Sequence, residues 1–521
     1  MEYVVNSAEM KRYDNNTSSV LGVPEIVLME RAAIEMYRDI SLTYMDVLKR
    51  TKVLILCGVG NNGGDGIALS RLLRQAGIKA KTIIIGDYNK ASELNKIQKN
   101  IHESYQFDLG FISPDRCLDI IQLFERDDDI GIIIDALFGI GISRELSETY
   151  SNLFECINQQ DAIRIAVDIP SGVSADGLVL AKTPFDANIT YTFGFKKLGH
   201  FLYPAADFCG DVKLLDMGID EFSLCGDIPL IKMASSIRDF KWPSRNAGAN
   251  KGTFGKLLII AGSDSIAGAA LLATSSAFAC GIGMVSIVTH ENNKHAFEQN
   301  FPEAMLKIYS DDTPKEELSK LMGKSLEWCD GILIGPGIGT SSMAEELLRI
   351  VINDTDKPLV MDADALNILA MQNELVCNIT SQSSRRIILT PHLGEFSRLT
   401  CTSIGEIKKN IIACAKDYAI KTNCTIICKD ATSVIVSHDS KIDYINTSGN
   451  NGMATAGSGD VLAGICGVLN IQMKDTHEAG AASAYIHGYA GSKASQKCGV
   501  RSMKASDIID ELIITWREID K

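Results

Sequence analysis

Two glycine-rich stretches of this 521-residue chain carry side chains that could do chemistry beside a phosphate. The first, GVGNNGGDG at 58–66, follows the apolar run KVLILC, and its glycines satisfy the pattern G-x-G-x-x-G. Glycines let the backbone approach a ligand closely, and the start of a helix attracts an anion. A plain pyrophosphate loop has no need of Asn61, Asn62 and Asp65, so this loop predicts a reaction as well as binding.

The second stretch, GNNGMATAGSGDVLAG at 449–464, places Asp460 directly after Gly457, Ser458 and Gly459. Successive backbone N–H groups that open into a helix form an anion hole. An aspartate at its mouth can act as a base on a hydroxyl near a terminal phosphate. The G-K-[ST] ending of a Walker A loop is missing, so the stretch predicts another kind of phosphate site.

Asp135 and Asp168 each stand where a predicted parallel strand ends, in IIIDALFGIG and IAVDIPSG. Ligands bind at the carboxyl edge of an open α/β sheet, so we expect Asp65, Asp135 and Asp168 to surround one crevice. The alternative for each of them is that it caps the turn that follows.

Oxygen atoms of Asn62, Asp135 and Ser171 could hold a hard monovalent or divalent cation. No histidine and cysteine cluster in the sequence suits zinc. Lys196, in TFGFKKLG, could neutralise a phosphate or assist proton transfer, and the alternative is a solvated lysine.

The elements that must position these residues follow from an alternation of apolar runs, bounded by glycine, with longer amphipathic stretches. This alternation predicts parallel sheets with helices on both faces. It becomes irregular near 216–245 and restarts with KLLIIAGS. The length also exceeds what one hydrophobic core usually serves. We therefore predict an α/β protein of two tandem αβα domains, at 1–225 and 226–521, the first of them Rossmann-like.

Composition limits the partners. A formal net charge of −14 and a pI near 5.2 argue against a broad nucleic-acid face. The N-terminus has no leader pattern, and no apolar run reaches the roughly 18 residues of a membrane span. The 14 cysteines are scattered singly, as is typical of reduced core thiols. We expect a soluble, cytoplasmic protein without nucleic-acid or membrane partners.

Other classes of function fit only part of the chain. An oxidoreductase would use the first loop for a nicotinamide cofactor and Asp87 for its ribose. A small-molecule kinase would share the GSGD stretch but would leave DALFGIG and VDIPSG unexplained. A non-catalytic dinucleotide-binding protein would need neither Asp460 nor the joint placement of Asp135 and Asp168.

The first half resembles the NAD(P)H-hydrate epimerase domain, also called the YjeF N-terminal domain. The resemblance covers about residues 1–220 and rests on MERAA (29–33), GVGNNGGDG (58–66), DALFGIG (135–141), VDIPSG (167–172) and FGFKKLG (193–199). It implies a nicotinamide dinucleotide hydrated at C6, whose R and S forms are interconverted.

The resemblance also implies potassium around Asn62, Asp135 and Ser171. An epimerase must break and remake a bond at one carbon, which needs an acid or base, and Asp168 is the first candidate and Lys196 the second. The substrate contacts that the resemblance implies are Asn61, Asn62, Gly63, Gly64, Asp65, Gly139, Ile140, Gly141, Ile142, Ser143, Arg144, Glu145 and Asp168.

The second half resembles the ADP/ATP-dependent NAD(P)H-hydrate dehydratase domain, a member of the ribokinase-like superfamily. The match spans about residues 235–518 and rests, with GSGD, on KGTFGKLLIIAGS (251–263), GPGIG (335–339), DADALN (362–367), TPHLGE (390–395) and CKDATSVI (428–435). It implies a ribokinase-like αβα fold, and phosphorylation of the hydrate's hydroxyl by ADP or ATP before phosphate is eliminated.

In that reaction Asp460 would take the hydroxyl proton and magnesium would neutralise the phosphates. The implied nucleotide contacts are Lys429, Asp430, Ala431, Thr432, Ser433 and Gly459. The implied hydrate contacts are Ala269, Gly339, His392 and Asp460. The alternative for His392 is that it only stabilises a turn.

Both halves in this order resemble the bifunctional NAD(P)H-hydrate repair family of the Nnr type. Its members would act on NADHX and NADPHX with ADP as co-substrate, and we expect a homo-oligomer. Three positions depart from the usual motifs: Asp430 replaces a glycine, Leu393 a proline, and Ser458 a threonine.

Overall fold

The computed structural model describes residues 1–120, 129–382 and 384–521, and it divides into two compact units. The first unit is Tyr3–Leu230, and the second unit is Ile231–Lys521 together with Met1–Glu2. The change from one unit to the other falls close to the boundary predicted after residue 225. The assignment of one activity to each predicted range stays a prediction.

The first unit is built on a sheet of seven parallel strands in the order β4-β3-β2-β5-β6-β7-β9. The chain runs outward from β2 to β4 and then returns to β5 on the other side of β2. This reversal leaves a crevice between the loops that follow β2 and β5, which is where open α/β sheets bind ligands. The strands are β2 Lys52–Cys57, β3 Ala80–Ile85, β4 Gly110–Ile112, β5 Ile130–Ala136, β6 Ile163–Val167, β7 Ile189–Phe193 and β9 Asp211–Leu215; outside these seven, β1 Glu2–Val5 and β8 Lys196–Lys197 pair with each other in parallel.

Helices cover both faces of this sheet. Along β2, Val53 and Ile55 pack in one apolar cluster, whereas Leu54 and Leu56 pack in the cluster on the opposite face. Because both faces are buried, the strand reads as the continuous apolar run KVLILC. The helices are α1 Ser7–Ser19, α2 Glu25–Thr43, α3 Met45–Arg50, α4 Asn61–Gln75, α5 Glu93–Ser104 and α6 Glu148–Asn158.

The second unit has a larger sheet, in the order β13-β12-β11-β14-β15-β16-β17-β18-β19-β10. All neighbours are parallel except β18, which runs antiparallel to both β17 and β19. The strand order reverses between β11 and β14. The strands are β10 Ile231–Met233, β11 Lys256–Ile260, β12 Met284–His290, β13 Met305–Tyr309, β14 Gly331–Ile334, β15 Leu359–Met361, β16 Ile387–Leu389, β17 Thr425–Cys428, β18 Ser433–Ser437 and β19 Asp443–Asn446.

The helices of the second unit are α7 Gly268–Ala279, α8 Lys294–Asn300, α9 Lys315–Trp328, α10 Ser342–Asn353, α11 Asp364–Met371, α12 Asn373–Ser381, α13 Leu393–Thr400, α14 Ile404–Lys409, α15 Ile411–Thr422, α16 Ser458–Gln472, α17 Thr476–Cys498 and α18 Ala505–Ile519. Helix α16, which begins with the GSGD stretch, is buried from Val461 through Asn470. It packs closely on α7, because a Cβ on Gly464 would lie 2.0 Å from the Ser276 Oγ. Among the described residues, every helix is too short or too polar to cross a membrane.

The loop before α4 is held by close backbone packing. The Gly58 N–H donates to the Ala136 carbonyl at 2.9 Å, and a Cβ on Gly58 would lie 2.0 Å from the Leu137 carbonyl oxygen. A Cβ on Gly63 would lie 1.9 Å from the Gly58 carbonyl oxygen. These contacts tie the turn after β2 to the end of β5 and leave no room for a side chain.

We predict that Gly63→Ala lowers the free energy of unfolding of the first unit by about 2 kcal/mol or more, because the methyl group would force the loop and helix apart. Gly60→Ala is the matched control in the same loop. Gly60 has a φ of −85° and open space at its Cβ position, so we expect a change below about 1 kcal/mol. Urea unfolding of the purified variants measures both effects, and equal losses would contradict the packing argument.

Candidate active sites

A cavity of about 1150 Å³ lies in the first unit at the crevice between the β2 and β5 loops. Of the predicted substrate contacts, Asn61, Asn62, Asp65, Asp168 and the whole segment 139–145 line it. The other two, Gly63 and Gly64, are buried in the packing below the loop. Contact of Gly63 and Gly64 with a substrate stays a prediction.

The start of helix α4 forms one wall of this cavity. The Asn95 Nδ2 donates to the carbonyls of Gly58 at 3.1 Å and Gly60 at 2.9 Å, which fixes the loop that leads into the helix. Within the described residues, no side chain caps the helix at Gly60. The first-turn N–H groups therefore keep the hydrogen-bonding capacity and the positive end of the dipole that an anion needs.

Asp135 lies under the cavity as a fully buried carboxylate. Its Oδ1 accepts from the Leu137 N–H at 3.1 Å and the Ser171 hydroxyl at 2.7 Å, and its Oδ2 accepts from the Ser171 N–H at 2.7 Å. Burial raises the pKa of Asp135 to about 6, although these hydrogen bonds oppose the rise. Asp135 thus joins the ends of β5 and β6, as the turn-capping alternative predicted.

The predicted potassium ligands were tested against this geometry. Asn62 has a buried Nδ2 with no partner among the described residues, and its carboxamide lies against Gly139. Ser171 also accepts from the Phe138 N–H at 3.1 Å. The oxygens of these side chains and of Asp135 suit a hard cation. The described part of the chain holds no cluster of three or more His, Cys, Asp or Glu residues for a transition metal.

Asp168 stands just after β6 in a strained backbone conformation, with a φ of +68°. Such a conformation costs about 1 to 3 kcal/mol outside glycine and is typical of functional sites. Its Oδ1 accepts from the Lys197 Nζ at 2.6 Å and from the Thr192 hydroxyl at 3.2 Å. The strain and the two hydrogen bonds together fix the carboxylate at the cavity wall.

Lys197 is a buried lysine, with 1% of its side chain exposed. Its Nζ lies within hydrogen-bonding distance of the Asp168 Oδ1, of the Thr192 Oγ1 at 2.7 Å, and of the Phe193 carbonyl at 2.9 Å. These three acceptors use the three N–H bonds of the ammonium group. Lys197 therefore holds Asp168 in place by an ion pair.

Sequence reasoning had selected Lys196, the neighbour of Lys197. Successive side chains of a strand point to opposite sides, so only one lysine of the K-K pair can face Asp168. The structure places Lys197 there and at the cavity wall, whereas the Lys196 Nζ lies 6.0 Å from the ring centre of Phe201. A catalytic role for Lys196 stays a prediction, and the lysine that contacts Asp168 is Lys197.

His200, which sequence reasoning missed, supports the same pair. Its Nδ1 accepts from the Lys197 N–H at 3.1 Å, and its Nε2 lies 2.9 Å from the Asp168 carbonyl oxygen. Since an N–H can only donate and a carbonyl can only accept, the proton must be on Nε2. Burial and the nearby Lys197 charge lower the pKa of His200 to about 4, which keeps the ring neutral.

In the second unit, Asp460 lies in the first turn of α16 near a buried ion pair. The Lys429 Nζ lies 2.8 Å from the Asp362 Oδ1, which also accepts from the Thr390 hydroxyl at 2.7 Å. The Lys429 Nζ would lie 3.2 Å from a Cβ on Gly459, so the lysine is at the start of the helix. Burial, then the Asp362 charge, raise the pKa of Asp460 to about 7.

The GPGIG and DADALN segments pack against each other at this edge. The Gly339 N–H donates to the Asp364 Oδ2 at 2.9 Å, and a Cβ on Gly335 would lie 1.8 Å from the Asp362 carbonyl oxygen. Ala363, between the two aspartates, has a φ of +50° and a ψ of −119°. Ala269 is next to the same loop, because its Cβ would lie 3.2 Å from a Cβ on Gly337.

His392 caps helix α13. Its Nδ1 accepts from the N–H groups of Gly394 at 2.9 Å and Glu395 at 3.3 Å, and its backbone N–H donates to the Glu395 Oε2 at 2.9 Å. Burial, chiefly, lowers the pKa of His392 and raises that of Glu395 to about 7. The turn role of His392 is therefore present, and its contact with a substrate stays a prediction.

The predicted nucleotide segment 429–433 connects β17 to β18. Asp430, the residue that replaces the usual glycine, lies with its Oδ2 3.4 Å from the Lys408 Nζ. The Lys429 N–H donates to the Pro391 carbonyl at 2.8 Å, which joins the segment to the loop before His392. The nucleotide contacts of Lys429, Asp430, Ala431, Thr432, Ser433 and Gly459 stay predictions.

Comparisons with known proteins match both halves. One family model, described as "YjeF-related protein N-terminus", matches residues 25–199, and another, described as "NAD(P)H-hydrate dehydratase", matches residues 257–514. The chain is 31% identical to the "Bifunctional NAD(P)H-hydrate repair enzyme Nnr" of Moorella thermoacetica over 100% of this chain and 97% of that protein. The Escherichia coli protein of the same name is also 31% identical, over 97% of this chain and 92% of that protein.

Among solved structures, the "ADP/ATP-dependent NAD(P)H-hydrate dehydratase" from Bacillus subtilis, co-crystallised with ATP/Mg2+, is similar to part of this chain. The two are 28% identical, with a TM-score of 0.46, over 54% of this chain and 95% of that one.

We predict that His200 makes the stability of the first unit depend on pH between about 6.5 and about 4. The unfolded histidine gains a proton near pH 6.5 and the folded one near 4, so unfolding binds a proton in this window and stability falls as pH falls. The slope is up to about 1.4 kcal/mol per pH unit.

His200→Asn should remove that contribution. The measurement is the free energy of unfolding of both proteins from urea titrations across the window. An unchanged slope in the variant would contradict a neutral, buried His200.

Proposed function

The chain belongs to the family of bifunctional NAD(P)H-hydrate repair enzymes, and we propose that its two crevices divide the two steps of that repair. The protein repairs hydrated nicotinamide dinucleotides: it epimerises the R and S hydrates and dehydrates the S form to NAD(P)H. The single observation that supports a site in each unit is that each carries a lysine–aspartate ion pair of low exposure near the start of a helix.

We propose that the first unit is the epimerase. The cavity of about 1150 Å³ has room for a dinucleotide, and the start of α4 suits one of its phosphates. Asp168 then faces the hydrated ring and accepts the proton released when a bond at C6 is remade. Asn62, Asp135 and Ser171 would hold potassium, whose charge would help to offset the phosphates.

The second unit is the dehydratase in this proposal. Asp460 accepts the proton of the C6 hydroxyl as that oxygen attacks the terminal phosphorus of ADP or ATP. Phosphate then leaves C6 with the electron pair of the C–O bond, and loss of the C5 proton restores the dihydronicotinamide ring. A pKa of Asp460 near 7 suits a group that must both take and release a proton around neutral pH.

Lys429 and the N–H groups at Gly459 would bind the transferred phosphate. Magnesium would neutralise the nucleotide phosphates when bound. The carboxylates of Asp362 and Asp364 offer oxygen ligands for such an ion at this edge of the sheet.

The cysteines and the exposed apolar side chains bear on the compartment and the assembly of the enzyme. All fourteen cysteines belong to the described residues and are free thiols, which suits a reducing cytoplasm. We propose self-association through the exposed apolar side chains of Val20, Leu21 and Phe222, which are close together because the Asn16 Nδ2 donates to the Ser223 carbonyl at 3.0 Å. No nucleic-acid or membrane partner is part of the proposal.

We predict that Asp168→Asn stops epimerisation and leaves dehydration intact. Incubated with mixed R and S hydrates plus ADP, the wild-type protein should consume both epimers, whereas the variant should stop when the S share is used up. The expected loss of the exchange rate is about 100-fold or more, because the group that moves the proton is gone. Full consumption at the wild-type rate would contradict the role of Asp168.

For the second unit, we predict that Asp460→Asn lowers the rate of NAD(P)H formation by about 100-fold or more while R-to-S exchange continues. Release of AMP or ADP and the recovery of NAD(P)H absorbance are followed together. Asp354→Asn, at an exposed position after α10, is the charge-matched control and should keep the wild-type rate. Persistent turnover in Asp460→Asn would remove this residue from the mechanism.

A further inference from the structure

One carboxylate in the cavity of the first unit has no assigned part in the reaction. Asp14 lies on helix α1, far in sequence from every glycine-rich motif, and its half-buried side chain lines the same cavity as Asp65 and Asp168. The charged groups that face Asp14 are Lys197, Asp168 and Glu25, and Asp14 in turn faces Asp65. The helix therefore brings a third aspartate to the proposed epimerase centre.

The charges of this centre do not balance. Lys197 uses its three N–H bonds on Asp168, Thr192 and the Phe193 carbonyl, so it has none left for another carboxylate. The cavity's other cations are Lys11, Lys90 and Arg144. Among the described residues, none of these makes an ion pair with Asp14 or Asp65, and Lys90 pairs with Asp87.

Burial raises the pKa of two carboxylates at this site. Burial, and then the neighbouring carboxylates, raise the pKa of Asp65 well above its usual range. Burial also raises the pKa of Asp14 to about 7, against the opposing effect of Lys197. A pKa near 7 lets Asp14 both gain and lose a proton near neutrality.

The excess of carboxylates also fits one kind of intermediate. A site that only bound an anionic dinucleotide would gain from cations. Asp14 becomes an unpaired carboxylate once it gives up its proton, and that charge suits positive charge that develops on the substrate. Loss of the C6 hydroxyl from a hydrated nicotinamide ring creates such a charge, because the ring nitrogen must then share its electron pair with C6. The leaving hydroxyl needs an acid, and Asp168 in its ion pair with Lys197 is suited to the role of base.

We propose that Asp14 is the general acid of the epimerase reaction and works with Asp168 as the base; this inference rests on the proposed function of the first unit. Asp14 donates its proton to the C6 hydroxyl oxygen as the C6–O bond breaks. The electron pair of that bond stays with the oxygen, which leaves as water, while the lone pair of N1 forms a C6–N1 double bond.

A water molecule then adds to either face of C6, and the double-bond pair returns to N1. The proton that this water loses goes to Asp168. A proton passes from Asp168 back to Asp14 through water, which regenerates both groups. The net change is the configuration at C6, with one water lost and one gained.

The test is the rate of R-to-S exchange across pH for the full chain, the Asp14→Asn variant and the Asp14→Glu variant. In the wild-type protein kcat/KM should fall as pH rises above about 7, because the acid must be protonated. The Asp14→Asn variant should be about 100-fold or more slower at low pH, and its kcat/KM should no longer fall as pH rises above about 7. The Asp14→Glu variant should retain this fall in kcat/KM.

Dehydration of purified S hydrate by the second unit should not change, and urea unfolding of each variant shows that its first unit is folded. Asp46→Asn, an exposed charge-matched control on α3, should keep both the wild-type exchange rate and the fall in kcat/KM at high pH. A wild-type rate in Asp14→Asn, or an Asp14→Asn variant whose kcat/KM still falls as pH rises above about 7, would overturn the proposal.

Infrared difference spectra between about pH 6 and about pH 8 give a readout that needs no turnover. The wild-type protein should lose a carboxylic-acid C=O band that Asp14→Asn lacks. A wild-type protein without exchange activity but with this band would refute the epimerase assignment, whereas an active protein without the band would refute the role of Asp14.

Discussion

An ion pair between a lysine and an aspartate organises each of the two candidate sites. Lys197 holds Asp168 at 2.6 Å in the first unit, and Lys429 holds Asp362 at 2.8 Å in the second. Removing either partner would leave a charge in a poorly hydrated place, which costs about 3 to 5 kcal/mol. The pairs therefore fix the position of a carboxylate and of the strand end that carries it. Burial raises the pKa of Asp14 in the first unit and that of Asp460 in the second, although the lysine of each site opposes the rise.

Both pairs sit next to strained backbone. Asp168 has a φ of +68° and Ala363, which follows Asp362, has a φ of +50°. Each position would relax in isolation, so surrounding hydrogen bonds must hold it. In the first unit, His200 and the Tyr191 carbonyl bind the backbone of Asp168, with the Asp168 N–H donating at 2.7 Å. Strain and ion pair are thus two parts of one arrangement that fixes the position of a carboxylate in each site.

Much of this arrangement could be predicted from the sequence, because parallel strands bring their carboxyl ends to one edge. That rule predicted Asp65, Asp135 and Asp168 around one crevice, and Asp65 and Asp168 do line one cavity. The rule does not distinguish a residue that lines the cavity from one buried beneath it. Asp135 is of the second kind, because its oxygens accept hydrogen bonds from Ser171 and Leu137. To choose Lys197 over Lys196, one must know which side chain of the two-residue strand β8 faces Asp168, and the sequence does not give that direction. Asp14 gave no signal, because a helix far away in the sequence brings it to the cavity.

Helix α16 has a consequence for how the second unit can respond to a ligand. It is buried from Val461 through Asn470 and packs on α7 at Gly464, with no room for a side chain between them. Its amide hydrogens can exchange with solvent only when most of the unit opens, so their protection reports the global stability of that unit. The start of the helix is consequently a fixed reference point, and any adjustment around a bound phosphate must come from the surrounding loops at 335–339 and 429–433. Nucleotide binding at Gly459 would accordingly slow amide hydrogen exchange throughout helix α16 without moving the helix.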